Sequence, residues 1–325
     1  MSQYLVTGAA GFIAARVAEM LLDDGHTVVG VDNLNDAYDV RIKHWRLSRL
    51  IERAGFTFYE LDISDRKAMD ALALEHASFD AVINLAARAG VRQSVKDPWV
   101  FYEANVMGTL NLLELARRQG IPKFVIASTS SIYGANPPLP TPETYDSNHP
   151  LQPYAASKKA AEVLCYTYHA LYQIDISVVR YFTVYGPAGR PDLAIFRFVQ
   201  WVSEGRPVRV YGDGEASRGF TYIDDIARGT IQALKPLGYE IINLGGHETI
   251  TVNQLVALVE ELVGKKAQVV HGPANPAEML ANWANVEKAG QLLGWEPQVG
   301  LREGISRLVA WYNQEQAWAS QINTD

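Results

Sequence analysis

The chain has little cysteine, no long apolar run and no excess of positive charge. Cys165 is its single cysteine, so an intrachain disulfide is excluded. The seven histidines show no metal-ligand spacing and no His-Glu-x-x-His sequence. No apolar run approaches the length of about 18 residues that spans a bilayer. The net charge of -7 argues against a nucleic-acid-binding surface. We therefore expect no metal centre, no membrane segment and no nucleic-acid partner.

The overall composition is that of a globular enzyme. Hydrophobic residues make up 48% of the 325 residues and charged residues make up 20%, so disorder is not expected. The length suits one large α/β unit or two smaller ones. The first residues enter an apolar strand and lack the charged and apolar regions of a signal peptide, so we expect a cytoplasmic protein.

Short apolar, β-branched runs alternate with helical stretches along the chain. Such continuous apolar runs are typical of parallel strands covered on both faces, and the alternation indicates a doubly wound, Rossmann-type α/β fold. Helices are predicted between the runs, including Arg16–Asp23, Val106–Gln119 and Tyr154–Tyr172. The predicted strands are Tyr4–Thr7, Thr27–Asp32, Phe56–Leu61, Ala81–Leu85, Phe124–Ser128, Ile176–Val184 and Glu240–Leu244.

The α/β pattern weakens after Tyr185, where the segment Gly-Pro-Ala-Gly-Arg-Pro begins. It resumes near Phe220 and closes with helices at Val252–Val263 and Leu301–Asn313. We therefore predict a dinucleotide-binding domain from residues 1–186 plus about 219–246, and a smaller C-terminal substrate-binding domain from about 187–218 plus 247–325. The carboxyl ends of the strands should face the smaller domain, because ligands bind at that edge of open α/β sheets.

The turn after the first predicted strand carries a dinucleotide-binding pattern. Gly8 permits a tight turn, and Gly11 lets the backbone approach phosphates at the N-terminus of the next helix. Ala14 stands at the third glycine position of the pattern. Asp32 ends the second strand, where a carboxylate accepts hydrogen bonds from a ribose diol and repels a 2′-phosphate, which favours NAD over NADP. Asp62-Ile63, after the third strand, is predicted to contact adenine.

A tyrosine and a lysine four residues apart form the candidate catalytic pair. On a helix, Tyr154 and Lys158 share one face, so the ammonium can lie beside the phenol. A neighbouring cation favours the phenolate and is expected to lower the pKa of Tyr154, which makes this residue a candidate general base. The spacing alone is a weak signal, but together with the dinucleotide turn it becomes a strong one.

A basic run follows the second predicted strand. We interpret it as the solvated face of a helix, with contact to phosphate as the alternative. The residues of the run are Arg41, Lys43, His44, Arg46, Arg49 and Arg53.

Five motifs together resemble the extended short-chain dehydrogenase/reductase family, and the likeness covers nearly the whole chain. Residues 33–41 and 181–192 look closer to the UDP-glucuronate 4-epimerases of that family. The resemblance implies an isomerase that keeps NAD bound, takes a UDP-hexuronate as substrate, and forms a homodimer through helices near Phe101–Arg118 and Tyr154–Tyr172. The five motifs are Thr7–Ala14, Asn84–Ala87, Ser128–Gly134, Tyr154–Lys158 and Arg218–Asp225.

The resemblance also implies which residues form the site. Thr129 and Ser131 would hydrogen-bond the sugar near the reacting hydroxyl, and Asn105 would order the helix that carries Tyr154. Two positions depart from the family pattern, since Gly219 and Glu278 stand where relatives usually carry aspartate. The implied substrate contacts are Thr129, Ser130, Ser131, Thr183, Arg190, Tyr211, Arg218 and Glu278. The implied cofactor contacts are Gly8, Gly11, Phe12, Ile13, Asp32, Asn33, Asp62, Ile63, Leu85, Ala86, Ala87, Asn105, Ser128, Tyr154, Lys158, Tyr181 and Val184.

By this resemblance, Tyr154 takes the proton of the 4-hydroxyl while C4 passes a hydride to NAD, and the hydride returns to the other face of the 4-keto sugar. Alternatives remain open: a UDP-glucose/UDP-galactose 4-epimerase, a UDP-glucuronate decarboxylase, or a non-catalytic NAD-sensing scaffold. Ser130 and Ser131 stand where dehydratases usually carry Asp-Glu, and decarboxylases usually carry glutamate at the position of Ser131. UDP-galactose 4-epimerases commonly have asparagine at the position of Thr183. A scaffold would be expected to lose Tyr154 or Lys158.

Overall fold

The computed structural model describes residues 1–246, 248–273 and 281–324. Its strands fall into a large parallel sheet and smaller sheets beside it. In chain order the strands are β1 (Gln3–Thr7), β2 (Thr27–Asp32), β3 (Phe56–Glu60), β4 (Ala81–Asn84), β5 (Lys123–Thr129), β6 (Asp175–Tyr181), β7 (Thr183–Tyr185), β8 (Pro207–Tyr211), β9 (Ser217–Tyr222), β10 (Tyr239–Leu244), β11 (Glu248–Thr251), β12 (Gln268–Gly272) and β13 (Ala281–Asn282).

The helices connect these strands, and several begin or end close to the predicted positions. The helix predicted at Val106–Gln119 starts with a π-helical turn, Glu103–Met107, and a 3₁₀ turn spans Ser130–Tyr133. The helices are α1 (Phe12–Asp23), α2 (Val40–Ile51), α3 (Arg66–Glu75), α4 (Val91–Lys96), α5 (Trp99–Tyr102), α6 (Gly108–Gln119), α7 (Pro153–Tyr172), α8 (Ala194–Glu204), α9 (Ile223–Gln232), α10 (Val252–Val263), α11 (Glu287–Leu293), α12 (Leu301–Gln314) and α13 (Gln316–Ala319).

The large sheet has the strand order β10-β6-β5-β4-β1-β2-β3, and every neighbouring pair is parallel. The chain starts in the middle at β1, builds outward through β3, and then crosses back to β4 on the other side of β1. This reversal leaves a crevice at the carboxyl ends of β1 and β4, where open α/β sheets bind ligands. The predicted Rossmann-type fold is confirmed.

Both faces of the large sheet are buried, because successive side chains of a strand point to opposite faces. Leu5 belongs to the core under α3, α6 and α7, whereas Val6 belongs to the core under α1, α2 and α9. The pairs Val82 and Ile83 in β4, and Phe124 and Val125 in β5, divide in the same way. Burial on two faces explains why these strands read as unbroken apolar runs.

The prediction of a single strand over the apolar run Ile176–Val184 is wrong in its extent. The run forms two strands, because the chain leaves the large sheet after Tyr181. The backbone N–H of Phe182 still donates to the carbonyl of Leu244 at 3.1 Å, but β7 then pairs in parallel with β9. Thr183 therefore lies opposite Phe220 in a second sheet, above the edge of the first.

The remaining elements pack over the carboxyl edge of the large sheet. Strands β11, β9 and β13 form the second sheet together with β7, β12 pairs with β8, and helices α8, α10 and α12 contact one another. Trp45 in α2 contacts Trp311 in α12, which holds the C-terminal helices against the dinucleotide-binding half. In the part of the chain described, no helix is long and apolar enough to cross a membrane, and no cluster of three His, Cys, Asp or Glu side chains could hold a metal ion.

Candidate active site

The turn between β1 and α1 is shaped by two glycines. Gly8 has φ 72°, and a Cβ there would lie 2.9 Å from the backbone of Ala86. A Cβ on Gly11 would lie 2.7 Å from the carbonyl oxygen of Gly8, which already accepts a hydrogen bond from the Gly11 N–H at 2.7 Å. These contacts leave no room for side chains, so the backbone amides at the start of α1 are open to an anion.

Asp32 lies at the end of β2 and is almost fully buried. One carboxylate oxygen accepts from the N–H of Ala10 at 3.1 Å, and the other accepts from the N–H of Leu34 at 2.8 Å. Lys43 in α2 reaches Asp32 at 3.5 Å. The interpretation of the basic run as a solvated helix face is wrong for Lys43, because only 5% of its side chain is exposed.

Asn33 and Asp62 lie together at the neighbouring strand ends. The Asn33 side-chain amide donates to Asp62 at 2.7 Å, and Ser64 donates to the same carboxylate through both its N–H and its hydroxyl. Burial on its own would raise the pKa of Asp62, but the hydrogen bonds from Ser64 and Asn33 lower it. The carboxylate is therefore ionised at neutral pH, and it lies in the lining of the cleft.

A single cleft of about 470 Å³ runs from this dinucleotide turn to α7. It brings together most of the sequence-predicted residues. Its walls include Gly8, Gly11, Phe12, Ile13, Asp32, Asn33, Asp62, Ile63, Leu85, Ala86, Ala87, Ser128, Thr129, Ser130, Ser131, Tyr154, Lys158, Tyr181, Thr183, Val184 and Arg190.

Four predicted residues do not appear in that lining. Asn105 lies behind the cleft, Tyr211 and Arg218 belong to β8 and β9, and Glu278 falls outside the described residues. The ring of Tyr211 instead lies under the guanidinium of Arg92, 5.1 Å away.

Several lining residues were not predicted: Asn35, Tyr38, Lys43, Arg88 and Asn282. The sequence did contain a signal for Arg88, because this residue directly follows the predicted cofactor contacts Leu85–Ala87. No local signal marks Asn282, because its place depends on the pairing of β13 with β9.

Tyr154 stands in the first turn of α7, which begins with Pro153. Burial raises the pKa of Tyr154, and this outweighs the hydrogen bond with Thr129 and the positive charge of Arg190, which both lower it. The downward shift expected from Lys158 is therefore not what the protein alone produces. The phenol is hydrogen-bonded to Thr129 and feels the positive charge of Arg190. Lys158 is not among the main influences on the pKa of Tyr154.

Lys158 lies one helical turn after Tyr154 and is 3% exposed. Burial lowers the pKa of Lys158 to about 8, although the nearby Cys165 and Glu162 act to raise it. An ammonium with so few compensating charges is destabilised in the protein alone. A ligand hydroxyl that accepts from this group would stabilise its charged form.

Ser128 was predicted to face the ligand, but its hydroxyl points the other way. It donates to Glu162 at 2.6 Å, and Glu162 also accepts from Arg180 at 2.8 Å. All three side chains are buried. This network ties the end of β5 to α7 and β6.

Asn105 acts on the same helix from behind. It lies in the π-helical turn, and its side-chain NH₂ donates to the Ser157 hydroxyl at 2.9 Å and to the carbonyl of Arg88 at 3.0 Å. Its side-chain oxygen accepts from the backbone N–H of Arg88 at 2.9 Å. A π-helical turn re-aims a side chain relative to a regular helix. The predicted role of Asn105 in ordering the helix of Tyr154 agrees with this geometry.

Arg190 lies on the cleft wall, in the loop between β7 and α8. Its guanidinium makes two bonds to Asp192, at 3.0 and 2.6 Å, and lies 3.5 Å from the carbonyl oxygen of Ala89. A planar guanidinium on the cleft wall suits anion capture. The positive charge of Arg190 also acts to lower the pKa of Tyr154, so the guanidinium lies near the phenol.

The sequence model of the NAD dependent epimerase/dehydratase family matches residues 4–245. The chain belongs to this family. It is 55% identical over 312 residues to a UDP-glucuronate 4-epimerase of Thermodesulfobacterium geofontis, covering 96% of each chain. As expected of an epimerase/dehydratase of this family, its residues fit a dinucleotide: the glycine turn leaves room for phosphates, and Asp32 lies at the end of β2.

Two solved structures share the fold of the chain. One is the UDP-glucuronic acid 4-epimerase from Bacillus cereus in complex with UDP-glucuronic acid and NAD. It is 35% identical with a TM-score of 0.90, over 96% of this chain and 99% of that one. The other is the UDP-glucose 4-epimerase from Thermotoga maritima with UDP-glucose. It is 33% identical with a TM-score of 0.89, over 97% and 99%.

Proposed function

We propose that the protein is an NAD-dependent 4-epimerase that interconverts UDP-glucuronate and UDP-galacturonate. One observation carries the proposal: the cleft joins a dinucleotide turn to Tyr154 and Lys158, and the sugar end between them is lined by hydroxyls instead of acids. Of the described residues in the lining, the carboxylates are Asp32 and Asp62, both at the dinucleotide end. A dehydratase would need an acid and a base beside the sugar, so epimerisation is favoured.

The chain's own groups supply proton transfer and orientation. NAD, when bound, would supply a hydride acceptor and donor, and the turn at Gly8 and Gly11 together with Asp32 would hold it. Tyr154 takes the proton of the 4-hydroxyl, and the hydroxyl of Thr129 holds the phenol oxygen in place. Lys158 presents a buried ammonium that favours the phenolate once a ligand stabilises its charge. Tyr154 returns the proton after the 4-keto sugar has turned in the cleft.

The uronate carboxylate explains the hydroxyls at the sugar end. A 4-ketouronate is a β-keto acid, and it loses carbon dioxide when its carboxylate bond aligns with the carbonyl π system. Thr129, Ser130 and Thr183 can grip the carboxylate without adding an acid. Ser130 is itself held, because Asn282 donates to its hydroxyl at 3.1 Å. In this proposal residues 1–186 with about 219–246 hold NAD and contribute these hydroxyls, and about 187–218 with 247–325 complete the nucleotide-sugar site.

Incubating the purified protein with UDP-glucuronate tests the proposal. We expect UDP-galacturonate as the main product, and NAD, not NADP, released on denaturation. A preference for UDP-glucose would indicate a neutral-sugar epimerase, and a UDP-pentose as the main product would indicate a decarboxylase. Bound NAD without turnover of any nucleotide sugar would indicate the scaffold.

Thr183→Val tests the carboxylate contact. The variant keeps the shape of the side chain and removes one donor, which is typically worth about 1.5–3 kcal/mol toward a charged group. We expect weaker binding of UDP-glucuronate and detectable pentose by-product, with UDP-glucose affected much less. Product analysis on both substrates measures this.

A matched control lies on the adjacent strand. Thr221 in β9 is the register partner of Val184, and its buried hydroxyl has no hydrogen-bond partner among the residues that the structure describes. Thr221→Val should leave both substrates unaffected. Equal loss of both substrates in Thr183→Val would contradict a uronate contact.

A homodimer is part of the proposal, with α6 and α7 at the interface. The surface around them exposes large apolar side chains, since Trp99 is 76% exposed and Tyr166 57% exposed. Exposed large apolar side chains are a feature of protein interfaces. Sedimentation at micromolar concentration would contradict this part if it showed only monomer. The cytoplasmic location stays a prediction.

A further inference from the structure

Arg46 is a buried cation with no role in the steps above. It belongs to the basic run interpreted as a solvated face, yet it is 3% exposed. Its guanidinium donates to backbone carbonyls and one phenol, and the described ranges of the chain give it no carboxylate partner. The acceptors are Ala188 O (2.9 Å from Nε, 2.6 Å from Nη2), Gly189 O (3.3 Å), Ala10 O (3.1 Å) and Tyr38 Oη (2.8 Å).

On one side, the guanidinium of Arg46 contacts the dinucleotide turn between β1 and α1. Ala10 lies between the two glycines, its N–H donates to Asp32, and its carbonyl accepts from Arg46. The ring of Phe12, the first residue of α1, lies 5.6 Å from the guanidinium carbon. Asp32 and Arg46 therefore hold one residue of the turn from opposite sides.

On the other side, the guanidinium of Arg46 contacts the loop between β7 and α8. Ala188 has φ 50°, a left-handed conformation that alanine rarely adopts, and its carbonyl accepts two N–H groups of Arg46. Gly189 donates its N–H to the carbonyl of Gly186 at 3.1 Å, which closes a tight turn. Arg190 follows directly and lines the cleft. The placement of Arg190 thus depends on a loop that Arg46 holds.

We propose that Arg46 is a positioning residue that couples the dinucleotide turn to Arg190, so that a protein holding NAD also presents Arg190 to the diphosphate or carboxylate of the sugar nucleotide. The inference rests on the proposed function for the identity of the sugar nucleotide only. Two properties of arginine suit this task. Its planar fork reaches several carbonyls at fixed angles, and its charge persists when buried.

The donors of Arg46 are all engaged by oxygens of the turn, of the loop and of Tyr38. Arg46 lines a second pocket beside Glu19 and does not appear in the lining of the cleft that carries Asp32 and Tyr154. It would therefore act on a bound dinucleotide through the backbone of the turn at the start of α1, which is where dinucleotide phosphates bind in this fold.

The test compares Arg46→Met and Arg46→Lys with Arg49→Met in the NAD-bound protein. Arg49 lies one turn along the same helix, is 55% exposed, and pairs with Glu19, so it is a matched control. The readouts are NAD retained per subunit and the affinity for UDP measured by calorimetry. The same measurements are made in an Arg190→Met background. No readout needs turnover.

We expect Arg46→Met to lose bound NAD and to weaken UDP binding on the order of tenfold. Arg46→Lys should be intermediate, and Arg49→Met should match the wild type. In the Arg190→Met background, Arg46→Met should have no further effect on UDP affinity, because its route to the substrate is already removed. A residue with only a structural role would weaken UDP binding in both backgrounds.

Three outcomes would overturn the coupling. These are unchanged NAD content in Arg46→Met, an equal loss of UDP affinity with and without Arg190, and failure of both Arg46 variants to fold. If the wild type binds UDP but does not epimerise UDP-glucuronate, the proposed function fails while the coupling is still measured. If it does not bind UDP at all, the NAD measurement alone decides whether Arg46 holds the turn.

Discussion

Tyr154→Phe is expected to lower turnover on the order of 10²–10⁴-fold, the usual loss when a general base is removed. The variant keeps the ring, which packs against Phe101 at 6.1 Å, so binding of the sugar nucleotide and of NAD should survive. Steady-state rates at saturating UDP-glucuronate measure the loss, and UDP-glucuronate affinity in the same samples measures what remains. Near-full activity at neutral pH would contradict the mechanism.

The matched control is another tyrosine of the same helix. Tyr168 donates its hydroxyl to Glu114 at 2.6 Å, away from the cleft. Tyr168→Phe therefore removes a phenol hydroxyl from α7 without touching the site. It should change thermal stability slightly and leave turnover intact. Equal losses in the two variants would indicate that the helix, and not the hydroxyl of Tyr154, limits the rate.

Lys158→Met is expected to abolish most activity while it stabilises the dinucleotide-free protein. The variant removes the charge that favours the phenolate, so turnover should fall about 10²-fold or more. It also removes a buried ammonium whose pKa is about 8 in the protein, against 10.5 as an ordinary lysine. A difference of this size corresponds to stability on the order of 3 kcal/mol.

The pH dependence of the gain in stability follows from the lowered pKa of Lys158. Below pH 8 the lysine is charged in both the folded and the unfolded chain, so its burial is fully unfavourable. Between pH 8 and 10.5 the folded protein releases the proton first, and the wild type becomes more stable as the pH rises. The advantage of Lys158→Met should therefore be largest below pH 8 and fade toward pH 10.5.

Thermal unfolding at pH 7 and pH 10, after removal of NAD, measures this difference. The neighbouring residue provides the control, since Lys159 donates to Ser147 at 2.7 Å and lies near Glu162. Lys159→Met should be no more stable than the wild type at either pH. A Lys158→Met variant less stable than the wild type at pH 7 would show that Glu162 more than compensates the buried ammonium.

Local patterns in the sequence predicted the parts of the site whose geometry is set within one element. Tyr154 and Lys158 share a face because four residues are about one helical turn. The glycine pattern predicts a tight turn at Gly8, and the structure shows that a side chain there would meet the backbone of Ala86. The same patterns mistook Arg46 and Lys43 for solvated residues, because a helix of mostly polar residues gives no sign of which polar groups are covered.

The sequence was sufficient to predict the doubly wound fold, the approximate positions of the seven strands of its large sheet, and the family to which the chain belongs. Each follows from short-range periodicity or from a contiguous motif. Three features became visible only in the folded chain: the hydroxyl of Ser128 donates to Glu162, Thr183 lies in a second sheet, and burial raises the pKa of Tyr154. Hydrogen-bond partners, strand exchange and desolvation depend on residues distant in the chain, so no local pattern encodes them.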